Sequence, residues 1–113
     1  AVDRLYVTSA DPGMLHVFDI SRGPVKPVLL KSLPTAGGAH HVAFTRDERT
    51  AYVQNSLLNL PGINDGSITV IDLVKLEVLG SINTFKDMGL APNSITMLPQ
   101  WYHPAGHFNN GLE

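Results

Sequence analysis

An all-β fold is what this 113-residue sequence predicts, and three observations carry it. Short runs alternate apolar and polar residues, turn residues punctuate them at close intervals, and only one brief stretch suits a helix. In residues 4–9, Leu5 and Val7 fall on one face and Tyr6 and Thr8 on the other, the period-two pattern of a strand. Asp11-Pro12-Gly13 reads as a turn, because proline presets φ and glycine tolerates a positive φ. Strands are expected next at 14–19, 25–33, 41–45, 50–55, 67–73, 76–82 and 94–98. Residues 84–88 suit one helical turn, which Gly89 would end. Many short strands at this spacing belong to a sandwich, a barrel or a propeller.

Self-similarity selects among the three. Leu5-Tyr6-Val7-Thr8-Ser9 matches Ala51-Tyr52-Val53-Gln54-Asn55, and Gly13-Met14-Leu15-His16-Val17-Phe18-Asp19 matches Gly66-Ser67-Ile68-Thr69-Val70-Ile71-Asp72. His41-Val42-Ala43-Phe44 matches Ser94-Ile95-Thr96-Met97. The elements recur in the same order after about 45 to 53 residues, the period of a four-stranded propeller blade. The expectation is a β-propeller fragment of about two four-stranded antiparallel blades. Residues 1–98 would form the blades, with 41–82 a full one, and 99–113 a C-terminal tail.

Composition narrows the function classes. The chain is 43% hydrophobic and 16% charged, which suits a packed globular domain. A net charge of −2, with lysine and arginine scattered singly, gives no electrostatic footprint for nucleic acid. No apolar run approaches the ~20 residues of a membrane span. Without cysteine there are no disulfides, zinc–thiolate sites, iron–sulfur clusters or covalent c-type haem. Ala1 opens in strand-like sequence without a signal pattern, so a mature chain or a piece of a larger one is expected. Leu112-Glu113 reads as a cloning remnant and carries no functional argument.

The set of motifs resembles the YVTN-type β-propeller repeats. Ala39-His40-His41-Val42-Ala43-Phe44-Thr45-Arg46-Asp47-Glu48 corresponds to their P-H-G-V-A-x-S-P-D-G element, and Tyr52-Val53-Gln54-Asn55 to Y-V-T-N. Ile68-Thr69-Val70-Ile71-Asp72 and Val78-Leu79-Gly80-Ser81-Ile82 correspond to the two strands that follow. Glu48 stands where the pattern has a turn glycine, His41 replaces another glycine, and a longer loop interrupts the second copy. The resemblance implies that residues 41–45 form an innermost strand beside the propeller channel. It also implies that the remaining blades of a parent protein, or copies of this chain, complete the ring. Related propellers in nitrous oxide reductase, cytochrome cd1 and methylamine dehydrogenase imply a periplasmic or extracellular location.

Alternating strand direction puts several loops on one rim: Asp11-Pro12, His40 and His41, residues 56–65 and residues 86–93. Loops on a rigid scaffold often carry binding, so His40, His41, Leu58, Leu60 and Asn93 are the candidate partner-binding residues. Leu58 and Leu60 have a second reading, packing on a neighbouring blade. Adjacent residues on a strand point to opposite faces, so His40 and His41 can share a metal only where the backbone bends, as beside Gly37-Gly38. The nitrous-oxide-reductase resemblance implies copper there, completed by imidazoles from elsewhere. His103 and His107 are spaced for one helix face, but Pro104 and Gly106 between them disfavour helix, which leaves them secondary metal candidates. Trp101 and Phe108 in the tail are expected to cap an apolar face. Asp19, Asp47, Asp65 and Asp72 read as turn residues accepting backbone N–H bonds. No G-x-S-x-G, P-loop or G-x-G-x-x-G occurs. Two function classes follow: a non-catalytic propeller module offering a binding or assembly surface, or part of an exported redox enzyme with copper or haem at the channel mouth.

Overall fold

The computed structural model describes residues 3–98 and is nearly all β. Strands β1 (Arg4–Ala10), β2 (Gly13–Asp19) and β3 (Val28–Pro34) form one antiparallel sheet in that order. Strands β4 (Ala39–Phe44), β5 (Thr50–Asn55), β6 (Ile68–Asp72) and β7 (Glu77–Ile82) form a second, again in chain order. Helix α1 (Thr84–Asp87) is the single turn expected, and Gly89 follows it at φ 75°.

Backbone chemistry accounts for the shifted boundaries. β3 begins at Val28, later than the periodicity suggests, because Pro27 immediately before it has no N–H to give a ladder. β7 begins at Glu77 because Leu76 turns into the left-handed region at φ 54°. Gly13 is needed for proximity rather than for positive φ. A Cβ there would lie 1.8 Å from the Ala36 carbonyl oxygen.

One expected strand is missing: residues 94–98 carry the alternation but form no strand. A strand exists through hydrogen bonds to a neighbour, and neither sheet pairs an edge with this segment.

The two sheets agree in register. Tyr6 faces Val17 as Tyr52 faces Val70, and Arg4 faces Asp19 as Thr50 faces Asp72. On the next strand pair, Phe18 faces Leu29 as Ile71 faces Val78, and His16 faces Ser32 as Thr69 faces Ser81. Both pairs carry a bulge at the same step, between Val17 and Phe18 and between Val70 and Ile71. The first sheet has no described counterpart of β4 beside β1.

A shared core joins the sheets: Leu15, Val17 and Leu33 from the first, and Ala39, Ala51, Val53, Ile71 and Leu73 from the second. Tyr6 packs on Phe44 with ring centroids 4.9 Å apart, bringing β1 against β4 at one side. β3 and β7 approach at the other side, so both sheets run across the molecule in the same sense.

The faces that meet are not equivalent. By register, Ile68, Val70 and Ile82 correspond to Leu15, Val17 and Leu33, yet none of them joins the cluster shared between the sheets, although Ile68 is buried. Leu5, Val7 and Phe18 correspond to Ala51, Val53 and Ile71, and they too lie outside it, Leu5 and Val7 each 41% exposed. Opposite faces therefore pack head to tail, leaving Leu5 and Val7 of the first sheet and Ile82 of the second exposed, while Gln54 and Ile68 on the outer face of the second sheet are buried.

Candidate functional site

The loops at one end of the sheets are bonded into a single rim. Gly38 N–H donates to the Ala10 carbonyl at 2.8 Å, tying the β1–β2 turn to the entry of β4. Asp65 N–H donates to the Gly37 carbonyl at 3.1 Å, adding the long loop between β5 and β6. Approach here is close enough to require glycine: a Cβ on Gly38, at φ 96°, would sit 2.1 Å from the Ile63 carbonyl oxygen. Lys86 reaches Asp65 at 2.9 Å and fastens α1 to the same rim.

Within the long loop, Leu57 N–H bonds the Ile63 carbonyl at 2.9 Å and the Asn64 amide bonds Asn59 at 2.6 Å. These bonds fix the loop from inside and turn its leucines outward, Leu58 58% and Leu60 50% exposed. Exposed large apolar groups on a braced loop are suited to a partner.

Gln54 is the buried link beneath the rim. Its side-chain oxygen accepts from His41 N–H at 3.1 Å, while its amide donates to the carbonyls of Ser56 and Pro92. The bond to Pro92 holds residues 90–93 against the second sheet. Asn93 itself is exposed. Next to Gln54, the fully buried Asn55 donates to Thr69 Oγ1 at 2.9 Å and to Ser67 Oγ at 3.2 Å. Asn55 Oδ1 is buried with no hydrogen-bond partner among the described residues.

His40 and His41 are both exposed on β4. The pairing of β4 with β5 shifts register between Ala39 and Val42, and this irregularity brings the two rings edge to face with centroids 4.4 Å apart. Thr8 Oγ1 donates to the His40 carbonyl at 2.9 Å, anchoring the bend to β1. Among the described residues no group of three or more His, Asp or Glu side chains could hold a metal. Two imidazoles are therefore all that these residues offer to copper, fewer than a copper centre uses. His103 and His107, with Trp101 and Phe108, lie outside the described residues.

The sequence reading overlooked two features. A cleft of about 560 Å³ opens at the opposite end of the sheets, lined among others by Asp3, Arg4, Asp19, Asp47 and Arg49. Two of its carboxylates, Asp19 and Asp47, are occupied with turns. Ser21 N–H donates to Asp19 at 2.8 Å, Arg49 N–H to Asp47 at 3.1 Å, and Val74 N–H to the neighbouring Asp72 at 2.8 Å. Hydrogen bonds hold all three carboxyls below their ordinary value: chiefly from the Ser21 backbone for Asp19, the Thr45 hydroxyl for Asp47 and the Lys75 backbone for Asp72. On the rim, partial burial raises the Asp65 carboxyl, but bonds from Ser67 and Lys86 outweigh it and leave the group lowered.

The second overlooked feature is His16, whose Nε2 lies 3.0 Å from Ser9 Oγ and whose Nδ1 lies 2.8 Å from Ser32 Oγ. This looks like an activated serine until its protons are followed. Ser9 Oγ donates its one proton to the Pro12 carbonyl at 2.8 Å, so it accepts from His16 Nε2–H and Ser32 donates to Nδ1. The network braces the turn. The register of His16 opposite Ser32 was the only available signal, and it needs the strand pairing to be known.

No helix among the described residues is long and apolar enough to cross a membrane. No protein-family model matches this sequence, and no curated protein matches it.

Proposed function

We propose that this chain is a non-catalytic module of a β-propeller of the YVTN-repeat type. Its two sheets form a rigid scaffold, its loop rim is a binding surface, and its open faces join further sheets from a parent protein or from copies of itself. The observation that carries this reading is the head-to-tail packing of two sheets with matching registers. A sandwich built from two copies of one sheet by a two-fold axis would bring the same face of each together. A head-to-tail contact instead repeats and closes into a ring when its rotation allows. A periplasmic or extracellular location belongs to the same reading.

Leu58 and Leu60 would then serve the partner and not the core. The double variant Leu58→Ser/Leu60→Ser is expected to keep its far-UV circular dichroism and to move Tm by less than about 4 °C, as surface changes do. A fall of about 10 °C or more would mean that the leucines are structural, and the rim would lose its binding role.

A second reading, part of an exported redox enzyme with copper or haem at the channel mouth, is favoured by the irregularity that sets His40 beside His41. It needs further ligands from other sheets or from His103 and His107. A metal that binds the folded state raises its stability by mass action. Cu²⁺ added in slight excess should thus raise Tm and give a ligand-field absorbance lost in His40→Ala. An unchanged Tm and a colourless solution would end this reading.

A further inference from the structure

We infer that residues 84–92 form a strap across the rim, held shut by two polar links and able to open as one piece while both sheets stay folded. The strap needs no partner to exist, so it stands apart from the binding role given to Leu58 and Leu60.

Three observations converge. The first is that the strap's own N–H groups bond locally. Asp87 N–H donates to the Asn83 carbonyl, Met88 N–H to those of Thr84 and Phe85, Gly89 N–H to Lys86 and Leu90 N–H to Phe85. None of these bonds goes to a strand, so the strap can lift without breaking them. The second is that α1 buries no residue, and 83–91 are exposed throughout. A single helical turn is unstable by itself, and no buried side chain of its own anchors this one. The third is that its attachments are polar and sit at two points. Lys86 Nζ donates to Asp65 at 2.9 Å, with the two side chains 47% and 26% exposed. Further along, the Pro92 carbonyl accepts from the amide of the buried Gln54. Between the two points the strap lies on Gly66, where a Cβ would sit 3.0 Å from the Leu90 carbonyl oxygen and 3.5 Å from Lys86 Cα.

The orientation of the Gln54 amide follows from its partners. Its nitrogen meets the carbonyls of Ser56 and Pro92, which only accept, and its oxygen meets the His41 N–H, which only donates. One end of the side chain therefore serves β4, and the other serves the loop and the strap.

An exposed ion pair is weak, and a hydrogen bond that water can replace contributes little net stability. Two such links hold the strap far less firmly than packing holds the sheets. Opening releases Asp65 Oδ1, at the end of the long loop, together with the Gln54 donor that Pro92 occupies. The rim thus has a shut form, in which the strap engages both groups, and an open form, in which both face solvent and can take polar groups from outside.

Limited trypsin digestion tests the strap. The bond after Lys86 must leave its helical turn to be cut, so its cleavage rate follows the open population. Asp65→Asn removes the charge from one link and should speed cleavage after Lys86 about tenfold. Gln54→Glu removes the donors to Pro92, keeps an oxygen for the His41 N–H and does not touch Lys86. It should speed the same cut about tenfold, with cleavage after Lys31 in β3 unchanged. Fraying of α1 alone would respond to Asp65→Asn and not to a folded Gln54→Glu, and that result overturns the inference. So does faster cleavage after Lys31 in Asp65→Asn, which would mean that the sheets open with the strap. A glutamate buried at position 54 can cost the fold itself, and in that case hydrogen exchange of the unsubstituted chain decides. The amides of Asp87, Met88, Gly89 and Leu90 should show protection equal within about threefold, and about 100-fold below that of Val53 and Ile71. Strap amides protected as well as the sheet amides, or differing among themselves by more than about tenfold, overturn the inference.

Discussion

Aspartate side chains close the turns of this molecule by bonding their own backbone. Asp19, Asp47 and Asp72 each accept a backbone N–H two residues ahead, which closes the turn and lowers the carboxyl pKa. A carboxyl with a folded value below its unfolded one stabilises the fold above the unfolded value, and the benefit disappears as pH falls through the folded value. Tm should therefore hold steady from neutral pH down to about 5 and decline below about 4, the ordinary aspartate range. Asp19→Asn/Asp72→Asn should start lower at neutral pH, and the gap to the parent should narrow below about pH 3. A gap that is constant with pH would show that the charge is irrelevant to these turns. These aspartates were legible in the sequence because an Asx turn is a local bargain between a side chain and its own backbone. His16 was not, since its partners Ser9 and Ser32 reach it only through strand pairing.

At the level of the element, the hairpin between β4 and β5 shows backbone strain that is tolerated. Glu48, a non-glycine residue in the turn, takes a conformation that suits glycine, φ 62°. The left-handed region costs an L-residue roughly 1–2 kcal/mol, and glycine gives back part of that through greater freedom when unfolded. Glu48→Ala keeps this backbone strain while Glu48→Gly relieves it, and both remove the side chain, so Glu48→Gly should exceed Glu48→Ala in stability by about 0.5 kcal/mol, read from the urea midpoint at constant slope. Leu76 shares the conformation at φ 54° but packs against the core. Leu76→Gly should therefore destabilise, since the lost burial exceeds the strain relieved. A Glu48→Gly chain no more stable than Glu48→Ala, or a Leu76→Gly chain more stable than the parent, would contradict this account. The strands themselves could be read from alternation, and their shifted ends follow from Pro27 and Leu76. Residues 94–98 mark the limit of that method, for alternation reports a segment fit for pairing and cannot report whether an edge is within reach.

For the whole molecule, the decisive feature is which faces meet. Alternation alone gives each strand two faces, and in both sheets both faces carry apolar residues: Leu5 with Val7 and Leu15 with Val17 in the first, Ala51 with Val53 and Ile68 with Val70 in the second. Sequence by itself determined the all-β class, the succession of β1 to β7 and the turn aspartates, because each depends on neighbours along the chain. Tertiary structure alone decided that opposite faces pack together, that the shift in β4 sets His40 against His41, and that the loops bond into one rim around Gly38. Those outcomes depend on groups far apart in sequence, whose meeting is governed by packing and by backbone hydrogen bonds that no local pattern encodes.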